Sequence, residues 1–465
     1  MYIFLICNVY KGKLCLHYMT NTKREIFLSQ RRKDFQNKVK MKTKDFWLPK
    51  EKTITKKKET NAWFDLKQTY WKGRKQEPKL TKQKEDKILK EYIKAEKIIL
   101  RPTTEQKTIL LNWLKSYTKM YNQTLLFIKQ KQFANEETKD LFNWQNLRTN
   151  HLKEQRANIQ KESISKKDPK TKIPIHSLDG AIQDICSAFE SAFSNLKGAN
   201  IKKFRMRFLK QTKKTKVMKI ENQNIAKKGN TFCKTALGKK IISSKNLLGI
   251  SSDCRLHYDQ NTKRFTLLVP KKFLGTTSDK KKLVCLDPGL RTFLVGFTST
   301  DSIELGTNLI STLKVPLTKI ERLEKSTLRK NLKEKAKNKR FSKIKNLVDD
   351  LHWKTINYLT KTYKTVVLGK LSTKSIVQGS TLSGLLKNIA LKMGFFKFMS
   401  RLSYKAQSRG VKVIFTEESL TSKTCTSCGN INDDLGKAKL FSCPSCFYKI
   451  DRDLNGARNI LIKVL

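Results

Sequence analysis

Four cysteines near the end of the sequence are spaced to hold a metal ion. Cys425 and Cys428 form one CxxC pair, Cys443 and Cys446 another, with fourteen residues between the pairs. Each knuckle bends the backbone so that two sulfurs face one point. Four thiolates suit one tetrahedral Zn²⁺ with no open position, which makes the site structural rather than hydrolytic. The alternative is a set of reduced surface thiols. Six other cysteines, Cys7, Cys15, Cys186, Cys233, Cys254 and Cys285, are scattered, as in a reducing compartment and not as in a disulfide framework.

A second set is acidic. Asp287 closes the apolar run "LVCLD", and Asp453 stands at the head of the last helical pattern, "NGARNILIKVL". Lys and Arg number 99 against 39 Asp and Glu, so a carboxylate ending a core strand needs a reason. Two Mg²⁺ ions about 3.5–4 Å apart, clamped by carboxylates, activate water and stabilise the leaving oxygen of a phosphodiester. The plainer readings are a turn former in "DPG" and a helix cap at Asp453.

These groups need elements to position them. From residue 281, "KKLVCLDPGLRTFLVGFTS" reads as two strands and "DSIELGTNLI" as a third. A long charged helix follows over 316–361. Then come the strand "YKTVVLGKL", a helix ending at Gly410, the strand "VKVIFTEE", the cysteine segment and a closing helix. Three strands, helix, strand, helix, strand, helix is the order of a ribonuclease-H-like α/β fold. Upstream, "EKIILRP" reads as a strand, "TEQKTILLNWLKSYTKMYNQTLLFIKQ" as an amphipathic helix capped by Thr103 or Thr104, and 177–198 as another. Residues 20–90 are Lys-rich without apolar period, the composition of a disordered extension. The opening "MYIFLICNVY" lacks a basic leader and reads as neither signal peptide nor membrane helix. The net charge of +60 is best compensated by a polyanion, long nucleic acid above all, and no long amphipathic or spanning segment points to a membrane.

"VCLDPGLRTF", "TSKTCTSCG", "CPSC" and "DRDLNGARNI", in this order, resemble the RuvC-like nuclease of the TnpB/Fanzor proteins, transposon-encoded relatives of type V CRISPR effectors. "LRPTTEQKTILLNWLKSYTKMYN" and "LDGAIQDICSAFESAFSNLKGANIKKFRMRFLK" are similar to their nucleic-acid-binding half. The resemblance spans 91–465 and implies five parts: an extension over 1–90; a guide RNA- and DNA-binding lobe over 91–280, a wedge-like β-barrel with a helical insertion; a RuvC core over 281–424; a zinc ribbon over 425–446; and the final RuvC segment over 447–465. It implies an RNA-guided DNA endonuclease with one structural zinc and two catalytic Mg²⁺. The implied partners are a guide RNA of the omega type and double-stranded target DNA bearing a short adjacent motif, in a monomeric ribonucleoprotein. Localisation would be nuclear in a eukaryotic host, with "SQRRKDFQNKVKMK" as the address, and otherwise cytoplasmic or nucleoid.

Metal-binding roles pass to Asp287 and Asp453 by this resemblance, and Asp451 is left as a cap or turn residue. One position departs from it. Where prokaryotic members place a catalytic Glu after the strand matching "TVVL", this chain has Gly369. "TEESLTSKTC" offers Glu417 and Glu418 instead, and a Glu ahead of "TSKTC" resembles the rearranged site of the eukaryotic Fanzors. The family pattern selects Glu418 as the third catalytic, Mg²⁺-binding acid. A guide-dependent DNA-binding protein with a dead site, or an unguided zinc-ribbon binder, remain open readings.

Overall fold

The structure is a computed structural model of the chain. It describes residues 91–465 apart from 134–140, 166–167, 213, 226–230, 239–240, 277–281, 380–381 and 437; ahead of 91 it describes the backbone of four strands and residues 30, 33, 34 and 36. The stretch "SQRRKDFQNKVKMK", expected to be a nuclear address, lies almost wholly outside the described residues. Two pairs of antiparallel strands come first, β1 (Phe4–Tyr10) with β2 (Lys13–Met19), and β3 (Lys52–Asn61) with β4 (Phe64–Trp71). The chain then divides into two units, one of residues 91–273, the other joining 1–90 to 274–465.

The 91–273 unit begins with β5 (Glu91–Arg101) and α1 (Thr104–Phe133). Thr103 caps that helix. Its Oγ1 accepts from Gln106 N (3.3 Å), and Gln106 Oε1 accepts from Thr103 N (3.1 Å), a reciprocal box that satisfies two free donors. α2 (Lys153–Glu162) and α3 (Ile175–Lys197) follow, then β6 (Thr215–Ile220), β7 (Ile242–Ser243), β8 (Cys254–Asp259) and β9 (Arg264–Leu274). One core joins Trp113 and Tyr117 of α1, Ile182 and Ile185 of α3, and Met218 and Leu256 of the sheet. The strands lie in the order β6-β8-β9-β5-β7. Among the described residues this is an open sheet with two ends, not the barrel expected here.

The other unit is built on β10 (Leu283–Pro288), β11 (Leu294–Phe297), β12 (Asp301–Leu305), α4 (Leu309–Lys325), α5 (Lys330–Thr362), β13 (Thr365–Gly369), α6 (Thr373–Gly379), α7 (Gly384–Met393), α8 (Phe395–Gln407), β14 (Lys412–Thr416), the ribbon strands β15 (Leu440–Ser442) and β16 (Lys449–Asp451), and α9 (Arg452–Val464). The sheet order is β14-β13-β10-β11-β12-β4-β3, with β13 parallel to both β10 and β14. Over β10–β14 this is the ribonuclease-H-like order. Two differences from expectation are local. The long charged helix is parted into α4 and α5 at Ser326, whose backbone is extended, and the helix expected over 381–410 is parted at Gly394 (φ +58°). The third concerns the Lys-rich extension: β4 pairs with β12 from Asp301↔Tyr70 to Leu305↔Leu66 and so lengthens the ribonuclease-H-like sheet. No helix among the described residues is long and apolar enough to cross a membrane.

Both faces of this sheet are covered, which is why β10 is buried throughout. Alternation sorts its side chains. Val284 and Leu286 join the core under α4, α5 and α8, whereas Leu283 and Cys285 join a smaller core with Ala457, Ile460 and Leu461 of α9. On β13, Val366 and Leu368 take the first side and Val367 the second; on β14, Val413 and Phe415 take the first and Ile414 the second.

Candidate active site and zinc ribbon

That alternation predicts where the acids fall. Asp287 is in phase with Cys285 and Gly369 with Val367, so both belong to the α9 side; Glu418, past the end of β14, is placed there by its contact with Gly369. Asp287 is buried (8% exposed). Its carboxylate presses on α9 so closely that a β-carbon at Gly456 would sit 2.5 Å from Asp287 Oδ2. Asp453 lies in the first turn of the same helix. Asp451 ends β16 and caps α9: its Oδ1 accepts from Asp453 N (2.9 Å) and Leu454 N (3.2 Å).

Glu418 follows just beyond the end of β14. Its carboxyl fills the space over Gly369, where a β-carbon would meet Glu418 Oε1 at 2.5 Å and Cγ at 2.6 Å. The side chain of Glu418 therefore stands where a residue larger than glycine at 369 would project. Glu417 is exposed, and its carbonyl accepts from Lys463 Nζ (3.2 Å). Glu418 Oε1 is buried without a hydrogen-bond partner.

The electrostatics of the three acids are those of a site short of cations. Burial, then the charges of Glu418 and Asp453, hold the Asp287 carboxyl well above the usual carboxylate range. Burial pushes Glu418 up to about 7, against the opposing pull of Lys463. Asp453 is raised by burial and by Asp451, opposed by Arg452 and Arg291. Buried carboxylates that repel one another are stabilised when a cation joins them. An orphaned carboxylate oxygen and an all-oxygen donor set fit a hard divalent ion such as Mg²⁺.

The cysteine cluster is differently made. Cys425 and Cys446 sulfurs lie 3.7 Å apart, Cys428 and Cys443 sulfurs 3.5 Å, and all four lie within 4.8 Å of one another. Zn–S bonds of about 2.3 Å give a tetrahedron with edges of about 3.8 Å, so the donors fit one zinc. The knuckle amides of Ser427 and Cys446 point at Cys425 Sγ (3.4 Å) and Cys443 Sγ (3.5 Å). Among the described residues Leu435, Phe441 and Ile450 join the cysteines in the ribbon's small core, with Tyr448 and Leu454 packed against it. β16 runs straight into α9, so the ribbon sets the direction of the helix that carries Asp453.

Residues 395–460, from α8 through the ribbon into α9, match the family model of the Cas12f1-like TNB domain. TnpB-like protein R854 of Acanthamoeba polyphaga mimivirus is 31% identical over 453 residues, covering 89% of this chain and 84% of the relative. The chain belongs to the TnpB/Fanzor family. A shorter match, 39% over 70 residues (15% of this chain, 16% of the relative), is to the CRISPR-associated endodeoxyribonuclease Cas12f1 of Sulfoacidibacillus thermotolerans. The cryo-EM structure of a Cas12f1–sgRNA–target DNA complex aligns over 79% of this chain and 98% of that one at 18% identity and TM-score 0.29; the fold rests on the strand order described above and not on that overlap.

In this TnpB/Fanzor chain a basic strip also stands out in the 91–273 unit. Along 201–210, Phe204 and Met206 pack on the core while Lys202, Lys203, Arg205 and Arg207 are exposed. Asn122 of α1 fixes the strip by bonding both Leu209 N (2.8 Å) and Leu209 O (3.0 Å). Sequence reasoning overlooked Gly456 and took Gly369 only as a missing Glu. Glycine inside a helix costs about 1 kcal/mol, so Gly456 within "DLNGARN" was itself a sign of close approach.

Proposed function

We propose that this chain is an RNA-guided DNA endonuclease, cutting target DNA at one carboxylate site of Asp287, Glu418 and Asp453. The observation that supports the reading is a buried Asp287 pressed on α9 at Gly456 and felt electrostatically by both Glu418 and Asp453, in a ribonuclease-H-like sheet of a TnpB/Fanzor-family chain. The Cas12f1 relative, named an endodeoxyribonuclease, matches part of the chain, and the Cas12f1 complex with guide RNA and target DNA suggests the partners. Asp287, Glu418 and Asp453 would hold the divalent cations, two Mg²⁺ in this reading. Bound there, the ions supply Lewis acidity for phosphodiester hydrolysis. The protein's own part would be to hold the three carboxylates near one another, partly shielded from water, and to give up their protons as the ions bind. The reading of an inactive site rested on Gly369; Glu418 occupying that space argues against it.

The exposed Lys202, Lys203, Arg205 and Arg207, with the +60 charge, support nucleic acid as the partner; affinity should fall steeply with salt. The relocated Glu418 favours the Fanzor branch; a transposon-linked origin, a monomeric ribonucleoprotein and action in a nucleus are proposed with that resemblance. The decisive experiment purifies the chain with its bound RNA, sequences that RNA, and offers DNA matching it with randomised flanks. Mg²⁺-dependent cleavage beside one short flanking motif, lost in Asp287→Ala, is expected. Absence of bound RNA, or binding without cleavage under any flank, would overturn the reading.

A further inference from the structure

Glu418 lies past the end of β14, where strand hydrogen bonds no longer hold it, so something else must fix its backbone. Three side chains of α9 do so. Asn455 Nδ2 donates to Thr424 O (2.8 Å), and Asn455 Oδ1 accepts from Thr426 N (3.3 Å). Asn459 Nδ2 donates to Thr421 O (2.8 Å) and Thr424 O (2.7 Å). Lys463 Nζ donates to Glu417 O (3.2 Å) and Ser419 O (2.5 Å). Residues 455, 459 and 463 recur every fourth position, one face of the helix. They grip backbone carbonyls along the whole of 417–424. Asn455 and Asn459 are fully buried, as is Thr424. Inside that stretch Thr421 N (3.1 Å) and Thr421 Oγ1 (2.8 Å) both donate to Glu418 O.

The gripped backbone is not relaxed. Leu420 has φ +65°, a left-handed conformation that costs a β-carbon-bearing residue of order 1–3 kcal/mol and persists where neighbours over-determine it. Holding the carbonyls on both sides of Leu420 is that over-determination. The same helix delivers Asp453 and receives Asp287 at Gly456.

We propose that Asn455, Asn459 and Lys463 form a ladder of positioning residues that locks Glu418 in register with Asp287 and Asp453, so that one helix sets the spacing of all three acids. This rests on the reading of Glu418 as a metal ligand.

The test uses the RNA-bound protein as purified. Mn²⁺ affinity is measured by electron paramagnetic resonance for Asn459→Ala, Lys463→Met, Lys463→Arg, Thr421→Val and Glu418→Gln, with zinc content and bound RNA as controls. Loss of supporting hydrogen bonds around metal ligands typically lowers affinity by about 10–100-fold. Lys463→Met and Asn459→Ala should each weaken Mn²⁺ by about tenfold, Thr421→Val by less, with zinc and RNA retained, and Lys463→Arg should restore most of the affinity. If Asn459→Ala loses its zinc, the exposed-end variant Lys463→Met decides. Unchanged Mn²⁺ affinity in Lys463→Met, with Glu418→Gln weakened, overturns the ladder alone. Unchanged affinity in Glu418→Gln overturns Glu418 as a ligand and the ladder with it.

Discussion

The zinc ribbon and the acid site are two ligand sets joined by one turn of chain, and they are prepared in opposite ways. The cysteines come from two tight knuckles, with sulfurs already at tetrahedral spacing and amides aimed at them. The acids come from three elements whose positions depend on packing: the end of β10, the segment beyond β14 and the first turn of α9. Nothing in the acid set answers the buried Oε1 of Glu418, and all three carboxyls bind protons more tightly than usual. The contrast is between a closed site and one that, in the reading proposed above, would be catalytic. A structural ion is met by donors that satisfy it completely; a catalytic ion needs donors left short, so that binding it changes their protonation and leaves room for substrate.

The largest effect should come from the acids. Asp287→Ala is expected to lower guide-directed cleavage by roughly 10³-fold or more while RNA and target binding persist, read by gel-based cleavage and filter binding. Retained cleavage would break the comparison at once. Next, Cys443→Ser should cost the protein its zinc, about one per chain by metal analysis, and melt the ribbon, because thiolate ligation supplies much of the folding energy of so small a core. Cleavage should fall too, through the junction of β16 and α9. Withdrawing Mg²⁺ from the native protein should instead be reversible and leave protection of ribbon amides from hydrogen exchange intact.

Intermediate effects should come from glycine. Gly456→Ala and Gly369→Ala place a methyl against Asp287 and Glu418 respectively. Overpacking of about 1–3 kcal/mol predicts cleavage down by about 10–100-fold with zinc unchanged. If Gly369→Ala is silent, Glu418 does not occupy that space in solution.

The smallest effect is on stability. Glu418 is raised from an ordinary 4.5 to about 7. A raised folded-state value means the folded protein holds a proton that the unfolded chain gives up earlier. That contribution is fully present below about pH 4.5 and lost as pH rises through about 7. Mg²⁺-free protein should therefore lose on the order of 1–3 kcal/mol across that window, in urea unfolding followed at several pH values. Glu418→Gln should flatten the loss, and Glu417→Ala, at an exposed acid, should leave it as it is. No zinc-site change that preserves the ribbon should reproduce this profile.

Much of this arrangement was legible in the sequence because it rests on period and spacing. The knuckles announced themselves by their separation. The strand order followed from apolar runs, and the family pattern selects Glu418 over Glu417. What escaped was set by tertiary contact. "KTITKKKETN" has no apolar alternation, yet β3 and β4 extend the sheet because β12 offers an edge. A lone glycine in "KMGFF" was read through, although its left-handed backbone divides α7 from α8. Asn455, Asn459 and Lys463 passed unremarked within the closing helix, since their partners are carbonyls, which no side-chain pattern reveals.

The pairing of β4 with β12 also bears on how the chain reaches its native state. Tyr70 meets Asp301 across the whole inserted 91–273 unit. Contacts so distant in sequence close late, because the chain entropy of the loop must be overcome first. The inserted unit, with its α1–α3 core built from nearer neighbours, is expected to fold ahead of the sheet that encloses it in sequence. In pulse-labelled hydrogen exchange during refolding, amides of α1 should be protected before those of β12. A nascent chain would then own its basic strip before it owned an assembled set of acids.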